Sequence, residues 1–251
     1  MMAISIKEAL KPLLPRPVLE RWQRLRFNAE QAAARDRPLD HVFNEIYAKG
    51  MWRPEGSEAE FHSGPGSLAP VTAGYEAFVA GILERDAGIE TLVDIGCGDF
   101  QVSQRILGRV KRPLRYIGCD IASIVVEHNQ RTHGRAGKIS FQALNVAKDS
   151  LPAGDIVTIR EVFQHLSNDT ILAALANLRG TFKRAIITEA LPLEPSAPNL
   201  DIVSGYRTRD GYNSGVYLEL APFNLKVLDR YEVPAQGSKK NEVLRTLVVE
   251  L

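Results

Sequence analysis

Residues 91–120 read TLVDIGCGDFQVSQRILGRVKRPLRYIGCD: an apolar strand, a glycine turn, a helix, and a second strand that ends on an acid. Leu92, Val93 and Ile95 suit a strand buried on both faces of a parallel sheet. Gly96 and Gly98 let the chain bend sharply and bring a ligand against bare backbone. A dinucleotide pyrophosphate at such a turn favours GxGxxG, but Gln101 stands where the third glycine belongs. Asp94 before the turn and Asp99 within it add negative charge, which repels phosphate and suits a cation such as a sulfonium that also carries an ammonium.

Outward from this stretch the chain alternates. Strands are expected at 91–95, 114–119, 138–143, 155–160 and 184–189, with helices at 99–109, 122–132 and 168–179 between them. Alternation of this kind predicts a doubly wound, largely parallel sheet. Two tail strands, 216–221 and 243–250, complete seven. Before the core, a helix is expected from Asp40 through HVFNEIYAKGMW, then a loop rich in Gly, Pro and Ser (RPEGSEAEFHSGPGSLAP), then a helix over 72–85. Further upstream, from about Val18, Arg21, Arg24 and Arg26 punctuate Leu19, Trp22 and Leu25 as a basic amphipathic helix. Such a helix either packs on the domain or lies on an anionic lipid surface.

Composition narrows the function classes. The chain has 251 residues, 31 basic and 30 acidic side chains and a net charge of +1, so there is no global basic field of the kind that holds nucleic acid. Cys97 and Cys119 read as buried thiols of a reducing compartment, and no stretch approaches the ~20 apolar residues of a membrane span. The expectation is a cytoplasmic protein, and the lipid-surface reading of the N-terminal helix would add peripheral contact at the inner membrane face. The five histidines, 41, 62, 128, 133 and 165, lack the spacing of a zinc site, and no metal is expected.

The string VDIGCGDF resembles the first motif of class I methyltransferases that use S-adenosylmethionine, and Asp120 in YIGCDIA resembles their ribose-binding acid. The resemblance covers about residues 40–250. It implies a Rossmann-like methyltransferase sheet, seven strands with an antiparallel edge hairpin, as a catalytic domain over 71–251, with N-terminal helices and the SGPGS loop in 1–70. It implies that Asp94, Gly96 and Gly98 shape the methionine side of the cofactor pocket, that Asp120 with Ile121 takes the ribose, and that Asn145 with the Val146 backbone reads the adenine. An aspartate is frequent in this class where Asn145 stands.

SGPGS at 63–67, preceded by IYAKGMW, resembles a bacterial subgroup with an SGxGS loop before the VDIGCGD motif. Ser63 and Gly64, with Gly66 and Ser67, are then placed to grip a carboxylate of the cofactor or acceptor. The fourth strand delivers Arg160, Glu161, Gln164 and His165 to the reacting end, with Arg160 on the cofactor side. His165, of ordinary pKa about 6.5, is the candidate base and Glu161 the second; His165 reads equally as a loop cap packed beside Leu166. The subgroup's GxYR…NLxLxPFNLP tail corresponds to SGYRTRDGYNSGVYLELAPFNLKV, which inserts TRDGYNS and has Lys226 in place of the last proline. Arg207 and Tyr206 are thereby expected over the acceptor pocket, and with Arg209 and Tyr212 they either clamp an anionic or sugar-like acceptor or decorate an exposed loop. The reading is O-methylation of a small molecule or glycan. Two alternatives stay open: methylation of RNA or protein, and a non-catalytic S-adenosylmethionine-binding module.

Overall fold

A computed structural model describes residues 37–54, 56–235 and 241–251, and Pro38–Leu251 form one compact unit. The basic helix expected from Val18, and with it any lipid contact, lies outside the described residues. Helix α1 is Leu39–Ala48 and α2 is Ala69–Arg85; then follow β1 (Thr91–Ile95), α3 (Gln101–Arg109), β2 (Arg115–Asp120), α4 (Ser123–His133) and β3 (Ile139–Ala143). After them come β4 (Ile156–Arg160), α5 (Asn168–Arg179), β5 (Arg184–Pro192), β6 (Lys226–Pro234) and β7 (Glu242–Glu250). Among the described residues no helix is long and apolar enough to cross a membrane.

The strands form one seven-stranded sheet in the order β3-β2-β1-β4-β5-β7-β6. Strands β1 to β5 run parallel, and β7 pairs antiparallel with both β5 and β6. Alternate residues supply two separate cores: Val93, Ile95, Val157 and Ile187 face one with Ile171, Leu175 and Leu178 of α5, while Leu92, Ile156 and Ile186 face the other with Val79 and Leu83 of α2 and Ile106 of α3. Both faces are covered, which is why the central strands read as continuous apolar runs. A third cluster packs Val42, Phe43, Ile46 and Tyr47 of α1 on Ala122 and Val125 beside β2.

Two local expectations change. Residues 216–221 are not a strand: Val216, Tyr217 and Leu218 are buried, but Leu220 N–H donates to the Tyr217 carbonyl at 3.1 Å and Leu225 N–H to the Leu218 carbonyl at 2.8 Å, so the run turns back on itself. Its apolar character reflects packing on the core, not pairing. The edge strand is instead KVLDRYEVP, whose charged residues face solvent and whose Pro234 ends it, features that keep an open sheet edge from pairing with another chain. Helix α3 starts at Gln101, not Asp99, because Phe100 takes a left-handed φ of 65° to close the glycine turn.

Helices α2 and α3 are joined by a buried acid. Glu76, 1% exposed, accepts from Thr72 Oγ1 at 2.6 Å, Arg105 Nε at 2.6 Å and Arg109 Nη2 at 3.1 Å. Burial pushes its carboxyl up, but these donors outweigh that and hold it below the ordinary value. Arg105 also donates to the Ser67 carbonyl at 2.7 Å, which ties this node to the loop before α2. Replacing Arg105 by alanine is expected to lower the unfolding free energy by about 1.5–3 kcal/mol, read from urea midpoints near neutral pH. Since the Glu76 carboxyl is depressed in the folded state, its contribution is present above the unfolded value of 4.5 and is lost as pH falls through the folded one. The deficit of Arg105→Ala should therefore shrink in acid.

Candidate active site

The carboxyl ends of β1, β2, β3 and β4 open onto one cavity of about 480 Å³. Its wall includes Asp94, Gly96 and Gly98 at β1, Asp120 and Ile121 at β2, Asn145 and Val146 after β3, and Arg160, Glu161, Gln164 and His165 at and after β4. Ser63 and Gly64 close it from the loop before α2. Every cofactor-side residue expected from the sequence thus lies on one wall, as do Glu161 and His165. Arg207 does not: it is exposed, while its neighbours Thr208 and Asp210 line the cavity.

Asp94 is the most heavily bonded of these groups. It is buried and accepts from Ser103 Oγ at 2.6 Å, Tyr116 Oη at 2.8 Å and Thr158 Oγ1 at 2.8 Å. Burial still pushes its carboxyl up despite the three hydroxyls and the Arg160 charge. Asp120 accepts from Gly98 N–H at 3.0 Å and Ala122 N–H at 2.9 Å, and burial raises it to about 6. One bond on each Asp120 oxygen leaves further lone pairs for a ligand.

Backbone conformation and neighbouring side chains both require the glycines. Gly96 has φ 74° and Gly98 φ 51°, and a Cβ would meet Val162 Cγ2 at 2.2 Å in the first and Ser63 Oγ at 2.1 Å in the second. The serine-glycine loop therefore lies directly on the turn. Ser63 N–H donates to Asp99 Oδ2 at 2.9 Å and Asp99 N–H donates back to Ser63 Oγ at 2.9 Å. Arg160 Nη2 donates to the Gly66 carbonyl at 2.9 Å, Arg160 Nη1 pairs with Glu161 Oε2 at 2.7 Å, and the guanidinium lies 5.4 Å from the centre of the Tyr75 ring. Two of the four groups expected to grip a carboxylate are engaged within the loop: Gly64 N–H donates to His62 Nδ1 at 2.9 Å and Ser67 Oγ to the Gly64 carbonyl at 2.7 Å. The loop is a strap fastened to the glycine turn.

At the β3 end, Asn145 Oδ1 accepts from Ala147 N–H at 3.0 Å and the Val146 carbonyl from Asn177 Nδ2 at 2.9 Å. A ligand is thereby offered the Asn145 side-chain amide nitrogen and a second lone pair on each oxygen. At the opposite end, His165 packs edge-on to Phe43, ring centres 6.1 Å apart, and tilted against Trp52 at 5.5 Å. Burial lowers the imidazole pKa below its ordinary value against the opposing pull of Glu161, the Gly205 and Tyr206 backbone and Asp210. Its Nδ1 is buried with no hydrogen-bond partner among the described residues. Glu161 sits at a left-handed φ of 54°, a strained backbone for a residue that lines a site.

Arg209 leaves the acceptor set as well, being fully buried with its guanidinium bonded to Leu200, Phe163 and Asn168. No motif marks Phe43, Thr208 and Asp210 as lining residues, or Ser103, Tyr116 and Thr158 as partners of Asp94. Among the described residues no group of three or more His, Cys, Asp or Glu is arranged to hold a metal.

Residues 93–184 match the family model described as a methyltransferase domain. No curated protein sequence matches the chain. Among solved structures, the [4+2]-cyclase SpnF aligns with 85% of this chain and 97% of its own at 14% identity and a TM-score of 0.59. Human N-acetylserotonin methyltransferase, in complex with SAM, aligns over 94% of this chain and 67% of its own at 18% identity and a TM-score of 0.55. Magnesium protoporphyrin IX methyltransferase from Synechocystis PCC 6803, with bound SAH, covers 84% and 99% at 14% identity and a TM-score of 0.55. At such identities the likeness establishes the fold, a Rossmann-like methyltransferase sheet.

Gly98→Ala is expected to force the strap off the turn. Left-handed strain and overpacking each cost about 1–3 kcal/mol, so the variant should unfold earlier in urea and be cut faster by protease within residues 56–67. Ser63→Ala, which removes the acceptor of Asp99 N–H and the 3.3 Å hydrogen bond with Tyr47 Oη, should cost about 1 kcal/mol.

Proposed function

We propose that this chain is an S-adenosylmethionine-dependent methyltransferase acting on a small molecule or glycan, at oxygen, with His165 as base. The observation that carries the reading is the charge of the cavity wall. Asp94 and Asp120 are buried on either side of the glycine turn, and Asp99, Glu161, Asp210 and Glu242 join them against the single guanidinium of Arg160, which is held by Glu161 and Gly66. That donor set fits a cation and opposes a pyrophosphate. The closer likeness to a bacterial subgroup with an SGxGS loop is supported by the motif at 63–67.

When bound, the cofactor supplies an electrophilic methyl on a sulfonium. The chain's residues do the rest. Asp120, once ionised, would accept from the two ribose hydroxyls, Ile121 and Val146 would flank the base, and the Asn145 amide would donate to the adenine edge. Asp94, fixed by three hydroxyls, would add a carboxyl on the methionine side. The strap of Ser63 and Gly64, pinned by Asp99 and Arg160, excludes water from the methionine end. His165 Nδ1 would take the proton of an acceptor hydroxyl, and Phe43 and Trp52 supply an apolar wall that would orient the acceptor. Glu161 borders the same space and is the second candidate base.

A second reading, a cofactor pocket that serves chemistry other than methylation, draws on the likeness to a cyclase. Incubating the protein with labelled methyl donor and cell extract separates the two. Label in a low-mass or glycan product supports the proposal; label only in RNA or protein, or none at all, sinks it.

Titration calorimetry with S-adenosylhomocysteine over pH 5–8 checks the pocket. The Asp120 carboxyl titrates at about 6 in the free protein and the ligand favours its ionised form, so affinity should hold above pH 7 and fall as pH drops through about 6. Asp120→Asn should weaken binding by about 10- to 100-fold, from the loss of charge-assisted bonds. In transfer assays the acid limb of the His165-dependent rate should lie below the ordinary histidine value of about 6.5, because burial disfavours the imidazolium.

A further inference from the structure

The short 3₁₀ turn Phe163–His165, which sets Gln164 and His165 on the cavity wall, is held by two buried ionisable side chains from other elements. Glu189 on β5, 2% exposed, accepts the Phe163 N–H at 2.9 Å and the Gln164 N–H at 3.0 Å. Arg209, 0% exposed, donates from Nη1 to the Phe163 carbonyl at 2.8 Å, from Nε to the Leu200 carbonyl at 2.8 Å and from Nη2 to Asn168 Oδ1 at 2.9 Å. The residue Phe163 is thus gripped at both backbone groups, its N–H by the carboxyl and its C=O by the guanidinium.

Core filling alone does not call for this pair. Burying an arginine carries a desolvation penalty that an apolar side chain of similar volume avoids, and here burial pulls the guanidinium down to about 10 and pushes the Glu189 carboxyl up to about 8. What the pair provides is geometry. Arg209 belongs to the 3₁₀ turn Arg209–Tyr212, and the residues on either side of it, Thr208 and Asp210, line the cavity. One guanidinium therefore joins the turn that bears His165 to the segment that walls the acceptor end.

We propose that Arg209 and Glu189 are positioning residues of the acceptor end: they lock the Phe163–His165 turn so that His165 stays seated against Phe43 and Trp52, and they hold Thr208 and Asp210 in the wall. The functional consequence rests on the reading of His165 as the base, but the positioning has its own readout. His165 is faced by Glu161 at the end of β4 and by Asp210 of the Arg209 turn, which favour its protonation, and by the Phe43 and Trp52 rings and general burial, which oppose it. A loosened turn admits water to the imidazole.

The test is an NMR titration of the His165 ring in the full chain, assigned by its disappearance in His165→Ala, for the native protein, Arg209→Met and Glu189→Gln, with S-adenosylhomocysteine affinity measured alongside. The native ring should titrate below about 6.5, and Arg209→Met should bring it up to about that ordinary value. Glu189→Gln should move it the same way by less, because glutamine keeps one acceptor oxygen. Cofactor-product affinity should change less than about twofold, since Asp94, Gly98 and Asp120 hold that end from β1 and β2. A folded Arg209→Met with a native His165 titration, or one that loses product affinity in step with the shift, overturns the proposal and leaves Arg209 a general strut. If Arg209→Met does not fold, the isosteric Glu189→Gln decides by the same readout. If His165→Ala keeps full transfer activity while Arg209→Met shifts the ring, the base reading fails and the positioning stands.

Discussion

The carboxylate of Asp94 is the constraint around which the site is organised. It stands at the end of β1, and the three hydroxyls that hold it come from α3, β2 and β4, so one side chain registers the helix after the glycine turn against both neighbours of the central strand. Such a group is costly to keep charged, and burial raises both Asp94 and Asp120. For Asp120, with a folded value of about 6, the folded chain favours the protonated form, so ionisation costs stability as pH rises from the unfolded value of 3.8 through about 6. A cation in the cavity offsets that cost, which makes folding free energy and ligand binding draw on the same two carboxyls.

The strap turns this charged floor into an enclosed site. Its fastening is distributed: Ser63 and Asp99 exchange two bonds, Arg160 holds Gly66, and Arg105 holds Ser67 while bonding the buried Glu76 between α2 and α3. The same close approach explains Gly98, whose missing side chain leaves room for Ser63. Cofactor enclosure and helix packing are therefore mechanically continuous through two arginines.

The reacting end is built differently. Its aromatic wall comes from α1 and the segment after it, its imidazole from the turn after β4, and its outer rim from the long connection between β5 and β6. Among the described residues, the unbonded Nδ1 of His165 among aromatic rings contrasts with the hydroxyl shell of Asp94.

Local order and the cofactor half were legible in the chain itself. The glycine turn, the strand-end acids Asp94 and Asp120, Asn145, and the β4 end from Arg160 to His165 lie within or just after short apolar runs, and the parallel sheet places every such position at one mouth. The edge strand at 226–234 escaped because its polar residues suit a solvent-facing edge, whereas the buried run at 216–218 imitates a strand without pairing. Arg207 and Arg209 look alike in the sequence, yet one is exposed beside the cavity and the other is wholly enclosed. Periodicity and motif spacing report what a residue does with neighbours a few positions away, and these sufficed for the sheet, its switch in direction and the acidic turn. Whether a loop arginine meets solvent or the backbone of Phe163, whether Gly98 faces a ligand or Ser63, and which carbonyls the strap leaves exposed depend on contacts across 30 to 100 residues, which only the folded chain brings within bonding distance.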